Sequence, residues 1–352
     1  MTTPRQDGYF MPGEWHPHTA CWMTWPCAAD TFSKAPLDLE AAHMAAKKCY
    51  AAVAKAISRF EPVYMLTNRE DLDETQSLCG PDIKVIESEI DDGWFRDSGP
   101  TFVINRTGDV AGVNWVFNGW GNRYPHELDN RVAGDLLDRL NIKRYDSPLV
   151  LEGGGIHVDG EGTVLVTESC QLNKNRNPDL SKTEIENYLS EYLNVAKIIW
   201  LNGNRKQTDT DGHIDGVASF IRPGRILLAT SDDPTHPDYA TFQDNLKILK
   251  NTTDAQGRPI EIVEITEPYE ITDTGVHVKG IYVNFYLANG GIVLPAFDFP
   301  EYDQAALEVF RKEFPGHEIV QVPTRIVLFG GGNIHCITQQ QPGAYRYRAD
   351  HN

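Results

Sequence analysis

The chain has 352 residues, of which 41% are hydrophobic and 23% charged, the composition of a globular protein that can bury a large core without disulfides or structural metals. Its 32 basic and 50 acidic residues give a formal net charge of −18, which repels nucleic acid and anionic membranes and attracts cationic ligands. The six cysteines include no CxxC pair, so their spacing indicates neither a zinc ribbon nor a compact disulfide framework. The N-terminal segment lacks an apolar signal core and no run reaches the roughly 18 apolar residues of a membrane span, so we expect a cytoplasmic protein without nucleic-acid or membrane partners.

Apolar residues recur with a helical period in five segments, and a short apolar run that predicts a strand follows each of them. The third segment opens with a capping box, in which Ser181 precedes Glu184 by three residues. The predicted helix and strand pairs are 36–60 with 63–66, 127–140 with 149–151, 181–193 with 197–201, 238–250 with 260–265, and 302–314 with 318–322. Further strands are predicted at 162–167, 217–221, 225–229, 281–287 and 291–295.

Five α/β units indicate a repeated architecture, and no low-complexity linker divides the chain, so we expect one catalytic domain over residues 1–352. A doubly wound sheet would also alternate helices and strands. Such a sheet usually carries a phosphate-binding loop, and neither GxGxxG nor GxxxxGKS occurs here.

Each unit carries one cluster of polar residues soon after the strand that follows its helix. If the units surround an axis, these clusters converge at one end of it, where loops on a rigid scaffold form sites. The clusters lie at 94–100, 152–160, 209–216, 282–286 and 330–336.

Cys336 closes the last cluster and follows a run of three glycines, 330–332, that lets the backbone approach a ligand closely. A cysteine is a good nucleophile when its thiolate is stabilised. The ordinary alternative is a small buried hydrophobic residue, which is what we expect of the other five cysteines.

His213 and Asp215 are two residues apart, so an extended chain would present an imidazole and a carboxylate on one face. The imidazole can then serve as acid and base near neutral pH. His157 and Asp159 repeat this spacing, and for either pair a structural hydrogen bond is the alternative interpretation.

Asp97 and Glu152 are the remaining carboxylates of the clusters, although each also suits a turn beside glycine. Arg96 is expected to pair structurally with a carboxylate. Trp94 is either a core residue or an aromatic wall against a bound cation, and we include it among the substrate-binding residues.

A cysteine, a histidine and two or three carboxylates together predict an anionic pocket. Two carboxylates that face one cavity repel each other unless a cation lies between them. A guanidinium group meets that requirement, since it is planar, cationic and offers paired N–H donors. Cysteine protease chemistry needs no such carboxylate clamp, so acyl transfer is less favoured.

These motifs, in this order, resemble the agmatine deiminase family, part of the guanidine-modifying superfamily that includes arginine deiminases. The resemblance covers nearly the whole chain, from MPGEW at 11–15 to GGGNIHCITQQQ at 330–341. The segments between them are WFRDSGPTFV, LEGGGIHVDGEGT, LNKNRNP, DTDGHIDG and YVNFYLANGGI.

The resemblance implies an α/β-propeller of five units around a pseudo-fivefold axis. It assigns Cys336 as the nucleophile, His213 as the general acid and base, and Glu152 as the acid that orients the histidine. Asp97 and Asp215 match the carboxylates that grip the guanidinium. The implied reaction is hydrolysis of agmatine to N-carbamoylputrescine and ammonia, without a metal or organic cofactor.

Three segments depart from the family pattern and concern the tail of the substrate. Segment 202–208 lacks an acidic stretch, segment 267–279 is short, and Gly119 stands where alanine is common. Free or peptidyl arginine therefore stays open as a substrate, as does amidino transfer to an amine. A non-catalytic binder of cationic metabolites is the alternative from another class, and assembly as a homo-oligomer is left open. The candidate cations for the α-carboxylate of arginine are Arg123, Arg205 and Arg325.

Overall fold

The structure, a computed structural model, describes residues 2–203, 209–273 and 275–343. Within these residues, five sheets repeat one pattern, in which an antiparallel strand pair leads through a helix to a strand parallel to the second member of the pair. The helix supplies the long crossover that parallel strands require. This is the five-unit α/β arrangement that the sequence predicts.

The bounds of the five units follow, with strands in spatial order. Unit one has strands Gln339–Pro342, His18–Thr24, Val63–Thr67 and Ile83–Glu87 with helix Leu39–Ser58. Unit two has Tyr9–Phe10, Thr101–Asn105, Val110–Val116 and Lys143–Val150 with helix Asp129–Arg139. Unit three has Lys197–Leu201, Thr163–Thr167 and His157–Val158 with helix Lys182–Leu193. Unit four has Ala218–Arg222, Arg225–Thr230 and Glu261–Thr266 with helix Tyr239–Lys250. Unit five has Tyr286–Ala288, Gly291–Ala296 and Glu318–Pro323 with helix Pro300–Glu313.

Shorter elements connect the units. They are the helix Leu72–Cys79, the hairpin Tyr269–Ile271 with His277–Lys279, the single helical turns Phe95–Ser98, Glu168–Gln171 and Arg325–Leu328, and the turn Gly119–Asn122, whose residues have positive φ.

The two ends of the described chain meet in the first unit. Gln339–Pro342 pairs antiparallel with His18–Thr24, with Gln339 opposite Trp22. The C-terminal strand therefore completes a sheet that the N-terminal part begins, which closes the ring of units.

Local sequence explains where two of the long helices begin. The Ser181 hydroxyl accepts from the Glu184 backbone N–H at 3.3 Å, and the Glu184 carboxylate accepts from the Ser181 N–H at 2.8 Å, so the predicted capping box is present. Asp38 caps the first long helix by accepting from the Ala41 N–H at 2.9 Å.

The strand predicted at 281–287 is wrong, because only Tyr286–Ala288 pairs in a sheet. Residues 281–285 form a turn, in which the Asn284 N–H donates to the Ile281 carbonyl at 3.2 Å. Tyr282 and Val283 are fully buried by packing against other units. The apolar run thus reflects tertiary burial, which sequence periodicity does not distinguish from a strand.

Helix length and hydropathy also bear on membrane insertion. Among the described residues, no helix is both long and apolar enough to cross a bilayer.

Candidate active site

The Cys336 thiol lies at the centre of the molecule, where clusters from all five units converge. Its Sγ lies 3.4 Å from Asp215 Oδ2 and 3.3 Å from Asn284 Nδ2. The Asn284 Oδ1 accepts from the backbone N–H groups of His335 at 2.9 Å and Cys336 at 3.3 Å. The turn at Asn284 therefore fixes the position of the cysteine.

The imidazole of His213 lies between two carboxylates. Its Nδ1 is 3.7 Å from Asp97 Oδ1 and its Nε2 is 3.6 Å from Glu152 Oε2. Burial by itself lowers the pKa of His213, but the charge of Asp97 and the contact with Glu152 outweigh it and hold that pKa well above its usual range. The group is thus prepared to donate a proton.

Hydrogen bonds fix both of these carboxylates. Asp97 accepts from the Trp120 Nε1–H at 2.8 Å and the Gly154 backbone N–H at 2.9 Å, and Glu152 accepts from the Arg176 Nε–H at 2.7 Å. Burial raises the pKa of Asp97. Burial also acts to raise the pKa of Glu152, but His213 and Arg176 overcome it and lower that pKa.

Burial raises the pKa of the Cys336 thiol well above its usual range, and the charges of Asp215 and Asp97 raise it further. The thiol is therefore protonated at neutral pH in the protein alone. A cation placed between these carboxylates would oppose the charge effect and favour the thiolate.

Gly154 leaves room between the catalytic side chains. A Cβ atom on this residue would lie 2.6 Å from His213 Nδ1, 2.8 Å from Asp97 Oδ1 and 3.0 Å from Asp215 Oδ2. The lack of a side chain thus lets the imidazole and two carboxylates converge closely on this residue. Gly332 similarly has no room for a side chain beside Cys336, because a Cβ atom there would lie 2.9 Å from the cysteine Sγ.

We expect Gly154→Ala to lower kcat/KM for the substrate by about 100-fold, because the added methyl group would displace the groups that position the reacting atoms. Steady-state kinetics with a thermal melt as a folding check would measure this. Gly316→Ala is the matched control, since no atom lies within 4 Å of its Cβ position. Equal activity of Gly154→Ala and the parent would show that substrate does not occupy this space.

A cavity of about 380 Å³ leads to Cys336. Trp94, Trp120 and Tyr124 contribute aromatic surface to its wall. Lys34 is the one lysine or arginine among the described lining residues, and it pairs with Asp209 at 3.4 Å. The cavity suits a slender cationic ligand, because its wall also carries six carboxylates, those of Asp30, Asp91, Asp92, Asp97, Asp129 and Asp209.

Trp94 fits both interpretations offered for it. Its ring is 5% exposed and belongs to the largest hydrophobic cluster, yet it also lines the cavity. Its Nε1–H donates to Asp92 at 3.0 Å, which fixes the ring plane at the cavity wall.

The second His-x-Asp pair has structural roles. The His157 Nδ1 accepts from the Phe220 N–H at 3.3 Å, and Asp159 accepts from the backbone of Glu161 and Thr163 at 2.8 Å each. Arg96 lies 3.5 Å from a carboxylate oxygen of Glu14, the structural pairing that we expected.

The candidate cations for an α-carboxylate are engaged elsewhere where the structure describes them. Arg123 binds Asp211, and Arg325 binds Glu270. Arg205 and most of the divergent segment 202–208 lie outside the described residues.

The sequence did not assign four residues that contact the proposed catalytic or substrate-binding groups, or a fifth, Glu14, that contacts one of the four, His335. They lay within or beside motifs that it had noted, but no period or spacing pointed to their partners. They are Glu14, Trp120, Arg176, Asn284 and His335.

Two buried groups of acidic, histidine and cysteine side chains were considered as metal sites. One surrounds Glu14 and the other surrounds Glu152. An arginine already neutralises each carboxylate, Arg96 in the first group and Arg176 in the second. We assign neither group to a metal.

Comparison with known proteins agrees with this fold. A family model described as Porphyromonas-type peptidyl-arginine deiminase matches residues 10–342. Agmatine deiminase of Pseudomonas syringae pv. tomato is 45% identical over 370 residues, covering 98% of each chain. The solved agmatine deiminase of Enterococcus faecalis has a TM-score of 0.92 at 37% identity, covering 97% of this chain and 98% of that one. A C. jejuni agmatine deiminase with substrate bound has a TM-score of 0.85 at 26% identity, covering 96% and 97%.

The protein is a hydrolytic enzyme built on a five-unit α/β-propeller, so the predicted fold class is confirmed. The chain belongs to the Porphyromonas-type peptidyl-arginine deiminase family. Its predicted resemblance to agmatine deiminases is also confirmed, over nearly its full length.

Proposed function

We propose that this chain hydrolyses agmatine to N-carbamoylputrescine and ammonia through a covalent amidino intermediate on Cys336. The observation that carries the proposal is that Cys336 and Asp97 line one anionic cavity. Asp215 contacts Cys336, and His213 lies between Asp97 and Glu152. The relatives named agmatine deiminase support the same substrate.

Substrate binding favours the thiolate form of Cys336, which is the nucleophile. The guanidinium lies beside Gly154, where Asp97 and Asp215 accept from its N–H groups. The cation offsets the carboxylate charges that hold the Cys336 thiol protonated, so the thiol loses its proton as substrate binds. The thiolate and the guanidinium then form an ion pair with the central carbon next to sulfur.

The first half of the reaction releases ammonia. The Cys336 thiolate attacks the guanidinium carbon and forms a C–S bond. His213, cationic between Asp97 and Glu152, donates a proton to one terminal nitrogen, whose C–N bond then breaks. An S-alkylthiouronium group remains on Cys336.

The second half releases the ureido product. His213, now neutral, takes a proton from water as the oxygen attacks the same carbon. The C–S bond breaks and restores the thiolate, and the hydroxyl proton of the product passes to solvent, where it converts ammonia to ammonium. Overall, one guanidinium and one water give one ureido product and one ammonium.

The walls of the cavity discriminate between substrate tails. Agmatine carries an ammonium at its far end, and free arginine adds a carboxylate beside it. That carboxylate would face an acidic wall, on which the one lysine of the described lining residues is already paired with Asp209. Charge repulsion and desolvation therefore oppose arginine.

We expect a preference for agmatine over free arginine of at least about 100-fold in kcat/KM, which corresponds to about 3 kcal/mol. Parallel steady-state assays of ureide and ammonia would measure it. Arginine used as well as agmatine would overturn the substrate assignment but leave the cysteine chemistry intact.

Two other enzyme activities are tested with the same preparation. Short arginyl peptides distinguish a peptidylarginine deiminase, and amine acceptors distinguish an amidinotransferase, which would yield a new guanidine in place of the ureide. A haloacetamidine reagent that labels Cys336 distinguishes an enzyme from a catalytically silent binder.

We also propose that residues 1–352 form a single catalytic domain. Its support is the pairing of Gln339–Pro342 with His18–Thr24, which joins the two ends of the described chain. A cytoplasmic location and the lack of nucleic-acid and membrane partners stay predictions from the sequence, and homo-oligomeric assembly stays open.

A further inference from the structure

A buried chain of polar side chains runs from the nucleophile to Glu14. The Asp215 Oδ2 that lies 3.4 Å from Cys336 Sγ also lies 2.9 Å from His335 Nδ1. On the far side, His335 Nε2 lies 2.8 Å from Glu14 Oε1. His335 and Asp215 are each 2% exposed and Glu14 is 7% exposed, so water does not separate these groups from one another.

Both ring nitrogens of His335 therefore face carboxylates. A neutral imidazole has one N–H and one lone pair, and an ionised carboxylate offers only acceptors. A neutral ring would thus set a lone pair against a carboxylate oxygen at one of the two contacts. Two protons on the ring, or one on a carboxylate, remove that conflict.

The surroundings favour a proton on the ring. Arg96 Nη1 lies 3.5 Å and His157 Nε2 lies 3.7 Å from the same Glu14 oxygen, and both favour the ionised form of Glu14. The Cys336 thiol donates to Asp215, which favours an ionised Asp215.

We propose that His335 is held as an imidazolium between Asp215 and Glu14, and that this buried cation keeps Asp215 ionised and fixed beside Cys336. His335 is then a positioning residue that acts through Asp215. The inference rests on the proposed function, since it assigns Asp215 to the grip on the guanidinium and the thiol.

The direction of the pKa shifts agrees with this arrangement. Burial and Arg96 lower the pKa of His335, but Glu14 and Asp215 outweigh them and raise it above its usual value. Burial acts to raise the pKa of Asp215, but the hydrogen bond from His335 overcomes it and lowers that pKa. The raised pKa of His335 favours the imidazolium, and the lowered pKa of Asp215 favours its ionised form.

A cationic His335 also balances the charges around the nucleophile. Four buried carboxylates face four basic side chains, so the group is close to neutral while Cys336 is protonated. The arriving guanidinium adds one positive charge, and the proton that Cys336 releases removes one. The eight groups are Glu14, Asp97, Glu152 and Asp215 with Arg96, Arg176, His213 and His335.

The most direct test uses the substrate-free protein labelled with ¹⁵N in its histidine rings. The resonances of His335 are assigned by their loss in His335→Gln or their shift in Glu14→Gln, so either folded variant suffices. We expect both nitrogens to have protonated shifts at pH 8, about 1.5 units above the ordinary histidine pKa. Glu14→Gln should move the titration to lower pH, because one stabilising carboxylate charge is lost. A neutral His335 ring at pH 7 would overturn the proposal, whatever the enzyme turns over.

A second test follows the consequence for catalysis. In His335→Gln we expect kcat/KM for agmatine to fall at least about tenfold at pH 7. The acid limb of the pH profile of kcat/KM should also move up by about one pH unit, because Asp215 loses its neighbouring cation. His236→Asn is the control, since this buried histidine packs against Phe242 and Tyr269, outside the network of His335, and the acid limb of its pH profile should not move. An unshifted limb in a folded His335→Gln would contradict the role of the cation. If the parent protein does not use agmatine, the proposed function is overturned, but the NMR result on His335 is unaffected.

Discussion

Replacement of Cys336 by alanine is expected to lower kcat for agmatine by at least about 10⁴-fold, because no other described side chain can form the C–S bond at that position. The thiol is 7% exposed and lies at the base of the cavity, within 3.4 Å of Asp215. Alanine deletes only the sulfur from the tight surroundings of Gly332, so the fold should be largely preserved. Ammonia release and a thermal melt of the same sample measure the two effects.

Cys49→Ala is the matched control for the loss of a buried thiol. Cys49 lies on the helix Leu39–Ser58 and donates to the Pro323 carbonyl at 3.5 Å, away from the cavity. Its replacement should leave kcat unchanged. Ammonia release by Cys336→Ala within tenfold of the parent rate would remove Cys336 as the nucleophile.

Asp97→Asn and Asp215→Asn should each raise the barrier to reaction by about 4 kcal/mol, or about 10³-fold in kcat/KM. Each aspartate is at most 5% exposed, so a cation bound between them has lost its water and depends on both charges. Asparagine keeps the size and removes the charge, which leaves the guanidinium without one counter-ion. Steady-state kinetics with agmatine measure the loss.

Asp159→Asn separates this effect from the general cost of altering a buried aspartate. Asp159 is fully buried and accepts backbone N–H groups in a turn. Its replacement should lower the melting temperature while kcat/KM stays near the parent value. Parental kcat/KM in either Asp97→Asn or Asp215→Asn would exclude that residue from the grip on the substrate.

The sequence predicted the helices and strands well where local chemistry decides them. The capping box at Ser181 set one helix start, and the strand Lys197–Leu201 has the predicted bounds. The prediction failed at 281–287, where burial comes from packing between units and the chain turns at Asn284.

The contacts within the candidate site were harder to predict from the sequence. Cys336, His213 and Asp97 stood out because reactive residue types lie beside glycine runs. Glu14 and His335 are separated by 321 positions and lie 2.8 Å apart only because the ring of units closes. A contact between positions so far apart leaves no periodic pattern in a single sequence. The sequence predicted an anionic pocket from the carboxylates of the polar clusters, but the further aspartates of the cavity wall could be placed only from the fold.

Acid quench of the enzyme during turnover of agmatine, followed by mass spectrometry of its peptides, tests the central claim most directly. The account predicts a peptide that contains Cys336 with an added mass equal to agmatine less ammonia, formed and lost at the rate of turnover. Sustained ureide production with that peptide unmodified, or with the adduct on a different cysteine, would contradict it.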